Sequence, residues 1–375
     1  MENKTNKKFI INIVAFVIVL AIAATAFSVG FTQLTKQDEG IALIEEYPDS
    51  DAGLYAQDFE LYYNLYGKQS DIKAVKKALS ELFSTRLLYI YKLTDPENEY
   101  ENMNNLATIN HNPGQAVKID ETLYNMLKRA YGLSSDGYSL FAGGFYKTFN
   151  ALIYAGDAQE QDPIINPENR EMIASLLASA LDPANNLAFN DDTLEVTLTV
   201  SDSLKNNSYA ESMPVVDLNY LRNAFLANEI AAYLSDKGYK EGYILTKDGL
   251  TVMLRSFAGG SYILNRKDGT SERVPITTGS CSSSINNFFT GILDAGEYSL
   301  TGKGGEDIIR TPFIILTETG LNDAIESVMS ISESGDAVSA KYSAMMLLTK
   351  VGDNNEELKE ALESETDTKI YFNVN

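Results

Sequence analysis

Between residues 51 and 375 the apolar positions recur with two different periods, and the changes of period mark the elements. Phe59-Glu-Leu-Tyr-Tyr-Asn-Leu-Tyr-Gly67 is alternating and aromatic, which predicts a strand ending at Gly67. From Asp71 to Leu93 the apolar positions Val75, Leu79, Leu82, Phe83 and Leu87 fall at helical spacing. Asp120 reads as the N-cap of a helix through Lys128 to Tyr131, closed by Gly132. Asn166-Pro167 with Glu168 and Glu171 opens another helix, because Pro is tolerated in the first turn and acids suit its dipole. Leu194-Glu-Val-Thr-Leu-Thr-Val200 alternates as a half-buried strand. Asp217 to Lys237 reads as a helix stopped by Gly238, followed by short strands at Tyr243–Leu245, Thr251–Leu254 and Ser261–Leu264. A serine-rich run before Ile285 to Ile292 reads as an N-cap ahead of a helix. The pattern closes with a strand over Ala324–Ile331, a helix over Ala337–Lys350 and a last strand over Lys369–Val374. Helices alternating irregularly with hairpin-like strands predict an α+β fold of mixed helices and antiparallel strands, rather than a doubly wound parallel sheet. With no internal repeat or linker in residues 51–375, that stretch reads as one compact unit.

Ahead of it the pattern is of another kind. Lys4, Lys7 and Lys8 precede an apolar run from Phe9 to Phe31, broken only by Asn12, Thr25, Ser28 and Gly30. At about 1.5 Å per residue such a helix covers the roughly 30 Å hydrocarbon core of a bilayer. Residues 1–31 are therefore expected to be a signal anchor, a single transmembrane helix with the lysines in the cytoplasm and the soluble part extracytoplasmic. Ala24-Thr25-Ala26 leaves signal-peptidase cleavage as the alternative. Residues 32–50, polar and acidic with one apolar patch at Ile41 to Ile44, read as a tether.

Charge and cysteine content narrow the function classes. Without the leader's three lysines and one glutamate, 27 basic residues face 51 acidic ones, a net of −24. That balance argues against nucleic acid as a partner and against docking on an anionic membrane surface. The one cysteine, Cys281, excludes an internal disulfide, and its sequence neighbours include no His or basic residue to activate it. Gly302-Lys-Gly-Gly305 lacks the order of a phosphate loop and reads as a turn.

Five segments stand in a fixed order: Asp95-Pro-Glu-Asn-Glu-Tyr-Glu-Asn-Met-Asn104, Ser135-Asp-Gly-Tyr-Ser-Leu-Phe-Ala142, Asp217-Leu-Asn-Tyr-Leu-Arg-Asn-Ala-Phe-Leu-Ala-Asn228, Phe313-Ile-Ile-Leu-Thr-Glu-Thr-Gly320 and Ser339-Ala-Lys-Tyr-Ser-Ala-Met345. Their order and spacing over roughly residues 55 to 373 resemble the FAD:protein FMN transferases, the ApbE family. The resemblance implies a single ApbE-like, T-fold-related domain over residues 51–375. It also implies FAD as the ligand, Mg²⁺ as the metal, and transfer of FMN to a Thr or Ser of an extracytoplasmic protein.

The departures fall where that chemistry would sit. Glu99 and Asn104 match the family's Ser-Glu-(two or three residues)-Leu-Asn pattern near the flavin, where Glu99 can hydrogen-bond a flavin edge; without the resemblance the stretch is a solvated acidic turn. The Phe-Asp-x-Thr of the family has become Ser139-Leu140-Phe141-Ala142, losing a carboxylate and a hydroxyl. In Asp-Leu-Gly-Gly-Ile-Ala-Lys-Gly-Tyr-Ala-x-Asp the opening Asp217 is kept, but the glycines, the Lys and the final Asp have become Asn219, Tyr220, Asn223 and Asn228. Ser280 and Ser282 match a Ser/Thr-Ser-Gly turn whose hydroxyls and N–H groups suit a pyrophosphate. In Phe313-Ile-Ile-Leu316-Thr-Glu318-Thr319-Gly320 the family's His, Asp and Arg are replaced, and Thr319 survives. The family's Mg²⁺ ligands, an Asp and a Thr one helical turn apart, are here Lys341 and Met345. An ammonium cannot ligate a cation, and a thioether is too soft for Mg²⁺.

These replacements lead to the expectation of a membrane-anchored ApbE-like protein that has lost catalysis. It keeps a flavin-, nucleotide- or partner-binding role, with FAD as the candidate ligand and no Mg²⁺. Its partner would be an extracytoplasmic redox or envelope protein. The alternative is an active FAD:protein FMN transferase with a relocated metal site, and a third reading keeps only the fold in an envelope structural role.

Overall fold

A computed structural model describes residues 39–45, 58–134, 138–153, 158–163, 166–255, 261–265, 271–275, 279–286, 299–301, 307–309, 325–349 and 355–374. The segment expected to anchor the chain, residues 1–31, lies outside them, as do Ser135 to Gly137 and Phe313 to Gly320. No helix among the described residues is long and apolar enough to cross a membrane.

Seven strands form one antiparallel sheet in the order β1 (Gly40–Ile44), β2 (Phe59–Leu65), β6 (Gly242–Thr246), β7 (Leu250–Met253), β10 (Cys281–Asn286), β13 (Ile325–Ser332) and β14 (Lys369–Val374). A smaller sheet runs β3 (Ala116–Lys118), β5 (Glu195–Thr199), β4 (Asn186–Asn190), and the pairs β8 (Ser261–Asn265) with β9 (Ser271–Pro275) and β11 (Ser299–Thr301) with β12 (Asp307–Ile309) are two-stranded. The helices are α1 (Gln69–Leu93), α2 (Leu106–His111), α3 (Glu121–Gly132), α4 (Gly143–Ile153), α5 (Ala158–Gln161), α6 (Pro167–Ala180), α7 (Asp202–Lys205), α8 (Arg222–Asp236), α9 (Ala337–Thr349) and α10 (Asn355–Thr366). The fold is α+β with antiparallel sheets, as the pattern predicts.

Helices α1, α8 and α9 cover one face of the main sheet. In α1 the buried positions Ile72, Leu79, Phe83, Leu87, Ile90 and Leu93 lie at three-, four- and seven-residue steps, which puts them on one stripe. The stripe meets the inward residues Phe59, Leu61, Tyr63 and Leu65 of β2, whose burial alternates with a period of two. Asp120 does cap α3, accepting from the Thr122 amide at 2.7 Å, and Asn166 caps α6 through the Glu168 and Asn169 amides. A second hydrophobic cluster, centred on Phe145, Phe149, Ile173 and Leu176, joins α4 to α6 beside the main core.

Two expectations are corrected. The apolar patch of the expected tether is strand β1: Ile44 is buried, and the patch pairs with β2 from Gly40↔Leu65 to Ile44↔Leu61. The residues around Ser282, expected as a helix N-cap, are strand β10 between β7 and β13. Small hydroxyl side chains suit a strand hemmed in on both sides, and the neighbours supply the apolar surface that β10 lacks.

Candidate functional site

Two of the altered segments meet at the start of α8. Asp217 donates its amide to the Leu140 carbonyl at 3.0 Å, and Asn219 donates its side-chain amide to the Ser139 carbonyl at 3.3 Å, so the Ser139–Ala142 and Asp217–Asn228 segments are tied together. The Asn219 amide donates to the Asp217 carboxylate at 2.9 Å. Asn219 has φ of 51° and opens a single 3-10 turn, Asn219–Leu221, so the helix expected from Asp217 begins at Arg222. Its side-chain oxygen is buried without a hydrogen-bond partner. Burial pushes the Asp217 carboxyl above its ordinary value, and the charges of Glu97 and Asp95 push the same way against the pull of the Asn219 amide and Arg222.

Arg222 links this turn to a second polar centre. Its guanidinium donates to the Thr94 hydroxyl and the Tyr91 carbonyl, both at 3.1 Å, and stacks 4.2 Å from the centre of the Tyr91 ring. Its charge acts on Asp217 and also on Asp58, just before β2. Asp58 is raised by burial first and by the charge of Asp248 second, while Lys247, Arg222 and a hydrogen bond from the Asn223 side chain draw it down. Asp248, in the β6–β7 turn, faces Lys341 of α9. The Lys341 Nζ lies 3.4 Å from its carboxylate and donates to its carbonyl at 2.6 Å, and Lys341 has no exposed surface. The Thr246 hydroxyl donates to the same carboxylate. Lys341, Asn223, Asp58 and Asp248 thus converge from four elements.

A third polar centre closes the N-terminus of α9. Asp336 accepts from the Val338 amide at 3.1 Å, and Asn228 accepts from the Ala337 amide at 2.9 Å while donating to Asp336 at 3.1 Å. Arg129 of α3 and the Ser339 hydroxyl donate to the other Asp336 oxygen. Burial works against the ionised Asp336, but Arg129, Ser339 and Asn228 together hold its carboxyl below the ordinary value. Asn228, at the family's final Asp, is therefore a helix cap. Ser280 and Ser282 are buried in and before β10, and burial pushes the thiol of Cys281 between them above its ordinary value, which disfavours the thiolate.

The remaining predicted residues are placed elsewhere. Glu99 is exposed and pairs with Nδ1 of His111 at 2.9 Å, and exposed Asn104 donates to the Lys118 carbonyl. Thr319 lies outside the described residues. Sequence reasoning missed Asn105 and Asn110. Asn105 is fully buried: it caps α2 through the Thr108 amide and donates to the carbonyls of Lys92, Asp95 and Asn98. Asn110 donates to the carbonyls of Pro96 and Val216 and accepts from the Val216 amide at 2.8 Å. The Asn-x-x-Thr cap signal at Asn105 was present; nothing local marked Asn110.

Between the two hydrophobic clusters lies a cavity of about 390 Å³. Phe141 and Leu204 line it from the main core, Phe145 and Leu176 from the second cluster, and Asn110, Lys205 and Glu211 add polar groups. None of the predicted site residues lines it. Gly143 lets α4 approach: a Cβ there would meet the Pro214 carbonyl oxygen at 2.5 Å.

At the positions that the resemblance assigns to Mg²⁺ and the flavin, the described residues do not suit either group. At the positions the resemblance gives to the metal ligands, Lys341 is engaged by Asp248, and Met345 is 1 % exposed in the main core. Where two glycines would let a flavin approach the backbone, Tyr220 packs edge-on against Tyr146 with ring centres 4.6 Å apart and touches both clusters.

No protein-family model matches the chain, and no curated protein matches it. Solved structures do. The ApbE protein of Thermotoga maritima is 12 % identical, with 90 % of this chain and 94 % of that one covered at a TM-score of 0.53. The flavin transferase ApbE of Vibrio cholerae is 12 % identical, with 89 % and 94 % covered at 0.54. The flavinyl transferase ApbE of Pseudomonas stutzeri, in its apo form, is 12 % identical, with 84 % and 87 % covered at 0.54. The chain has an ApbE-like fold.

Proposed function

We propose that this chain is a catalytically lapsed relative of the flavin transferases, held at the outer side of a cell membrane by its N-terminal apolar segment, and that it works by binding a partner or a flavin nucleotide. The observation that carries the reading is Lys341. At the position where the resemblance expects a metal-ligating carboxylate, a fully buried ammonium is held by Asp248. Met345, one helical turn on, is core. Metal-assisted phosphoryl chemistry draws several kcal/mol from Lewis-acid stabilisation, so its loss removes orders of magnitude in rate. Tyr220 supports the same reading, because its ring stands in contact with Tyr146 where a flavin would need space.

The test uses the full chain in uncharged detergent micelles with FAD and Mg²⁺, measuring AMP release and, by calorimetry in EDTA, the binding of FAD, FMN and ADP. The expected outcome is no AMP above that of a protein-free control. AMP release above that control overturns the reading and establishes the active transferase instead. Ligand heat in EDTA assigns a flavin- or nucleotide-binding role, and its absence leaves partner binding.

A further inference from the structure

Strand β1 is an outer edge of the main sheet. Among the described residues its strand neighbour is β2 alone, so alternate N–H and C=O groups of residues 40–44 face away from the sheet without a strand partner. Sheet edges of this kind template further pairing unless blunted by Pro, Lys or a bulge. Gly40-Ile-Ala-Leu-Ile44 has none of these. Ile41 and Leu43 point to the open face of the sheet and are 53 % and 42 % exposed. The apolar surface continues behind them, since Leu43 lies opposite Tyr62, Tyr62 opposite Tyr243, and the two tyrosine rings stack 5.0 Å apart at 11°. Exposed Glu39 and Glu45 bracket the strand.

We propose that this edge accepts an added strand from a partner protein: an extended segment with alternating apolar side chains and Lys or Arg at its two ends. Main-chain hydrogen bonds would hold it, and Ile41 and Leu43 would meet its apolar side chains. The flanking acids select this occupant over a second copy. Antiparallel self-pairing about Ala42 sets Glu39 opposite Glu45 of the other copy at both ends, and parallel pairing in register stacks identical acids. Basic ends turn the same charges into attraction. The inference goes beyond the reading of the flavin positions and does not depend on it.

The probes are two fluorescein-labelled peptides with the core Val-Thr-Val-Thr-Val, one flanked by Arg and one by Glu, titrated by anisotropy against the full chain in uncharged micelles. The Arg-flanked peptide is expected to bind at least tenfold tighter than the Glu-flanked one, and to weaken as salt rises. Leu43→Lys, an exposed position whose thermal melt should match the unsubstituted chain, is expected to lose at least tenfold, as is Ala42→Pro. Should Ala42→Pro fail to fold, Leu43→Lys decides alone. Equal binding of both peptides, undiminished binding by Leu43→Lys, or no binding to any chain overturns the proposal. So does a dimer by light scattering that Leu43→Lys converts to monomer, which would give the edge to a second copy.

Discussion

Lys341 joins α9 to the β6–β7 turn, and its charge is matched inside the protein rather than by water. Removing one member of a buried ion pair strands the other, at a cost of about 3–5 kcal/mol. Lys341→Met is therefore expected to destabilise by that amount, and Lys341→Met with Asp248→Asn by clearly less, because the second change removes the stranded carboxylate. Urea unfolding of both variants checks this; equal losses would mean that the pair is not coupled. Asp217 gives a prediction of opposite sign. Its folded value lies above the ordinary one, so its contribution to stability is full below about pH 4 and is lost as pH rises through the raised value. Asp217→Asn cannot ionise. It should be more stable than the unsubstituted chain at pH 7 and indistinguishable from it near pH 4, measured by urea unfolding at the two values.

At the scale of elements, two adjacent asparagines separate a structural role from a surface one. Asn105 is fully buried and holds the α2 cap, the Lys92 carbonyl at the end of α1 and the Asp95 and Asn98 carbonyls in the turn after it, whereas Asn104 is exposed with one carbonyl partner. Losing a cap and leaving buried carbonyls without donors is expected to cost about 2–4 kcal/mol in Asn105→Ala. Asn104→Ala should stay within about 0.5 kcal/mol, as exposed substitutions do. Thermal unfolding of the two variants side by side decides it. Gly143→Ala tests the seam around the cavity. The new methyl group would meet the backbone of Pro214, which has no flexible end to move, so a loss of about 1–3 kcal/mol is expected. Hydrogen exchange should show that loss in α4 and α6 while β2, β6 and α8 keep their protection; uniform loss would mean that the second cluster does not open separately.

Across the whole molecule, elements with a strong local period were legible in the sequence: β2, α1, α3, β13, α9 and β14 lie within a few residues of their predicted bounds. What the sequence hid was set by distant partners. Residues 40–44 read as an apolar patch in a tether because pairing with β2 across undescribed chain leaves no local mark. The serine run of strand β10 read as a helix cap because its apolar surroundings come from β7 and β13, while most of the helix expected over Ile285–Ile292 lies outside the described residues. At the candidate site the substitutions were plain, but the burial of Lys341 against Asp248, 93 residues away in sequence, was not. The order of the main sheet has one more consequence. Read across the sheet, β1, β2, β6, β7, β10, β13 and β14 follow the order of the chain itself. Among the described residues no strand is inserted between two that precede it in the chain, so each can dock on the margin left by the one before, in a single direction from the N-terminal strand. Lys369–Val374, the last strand of that order, covers the margin of β13, which therefore stays open until this strand docks.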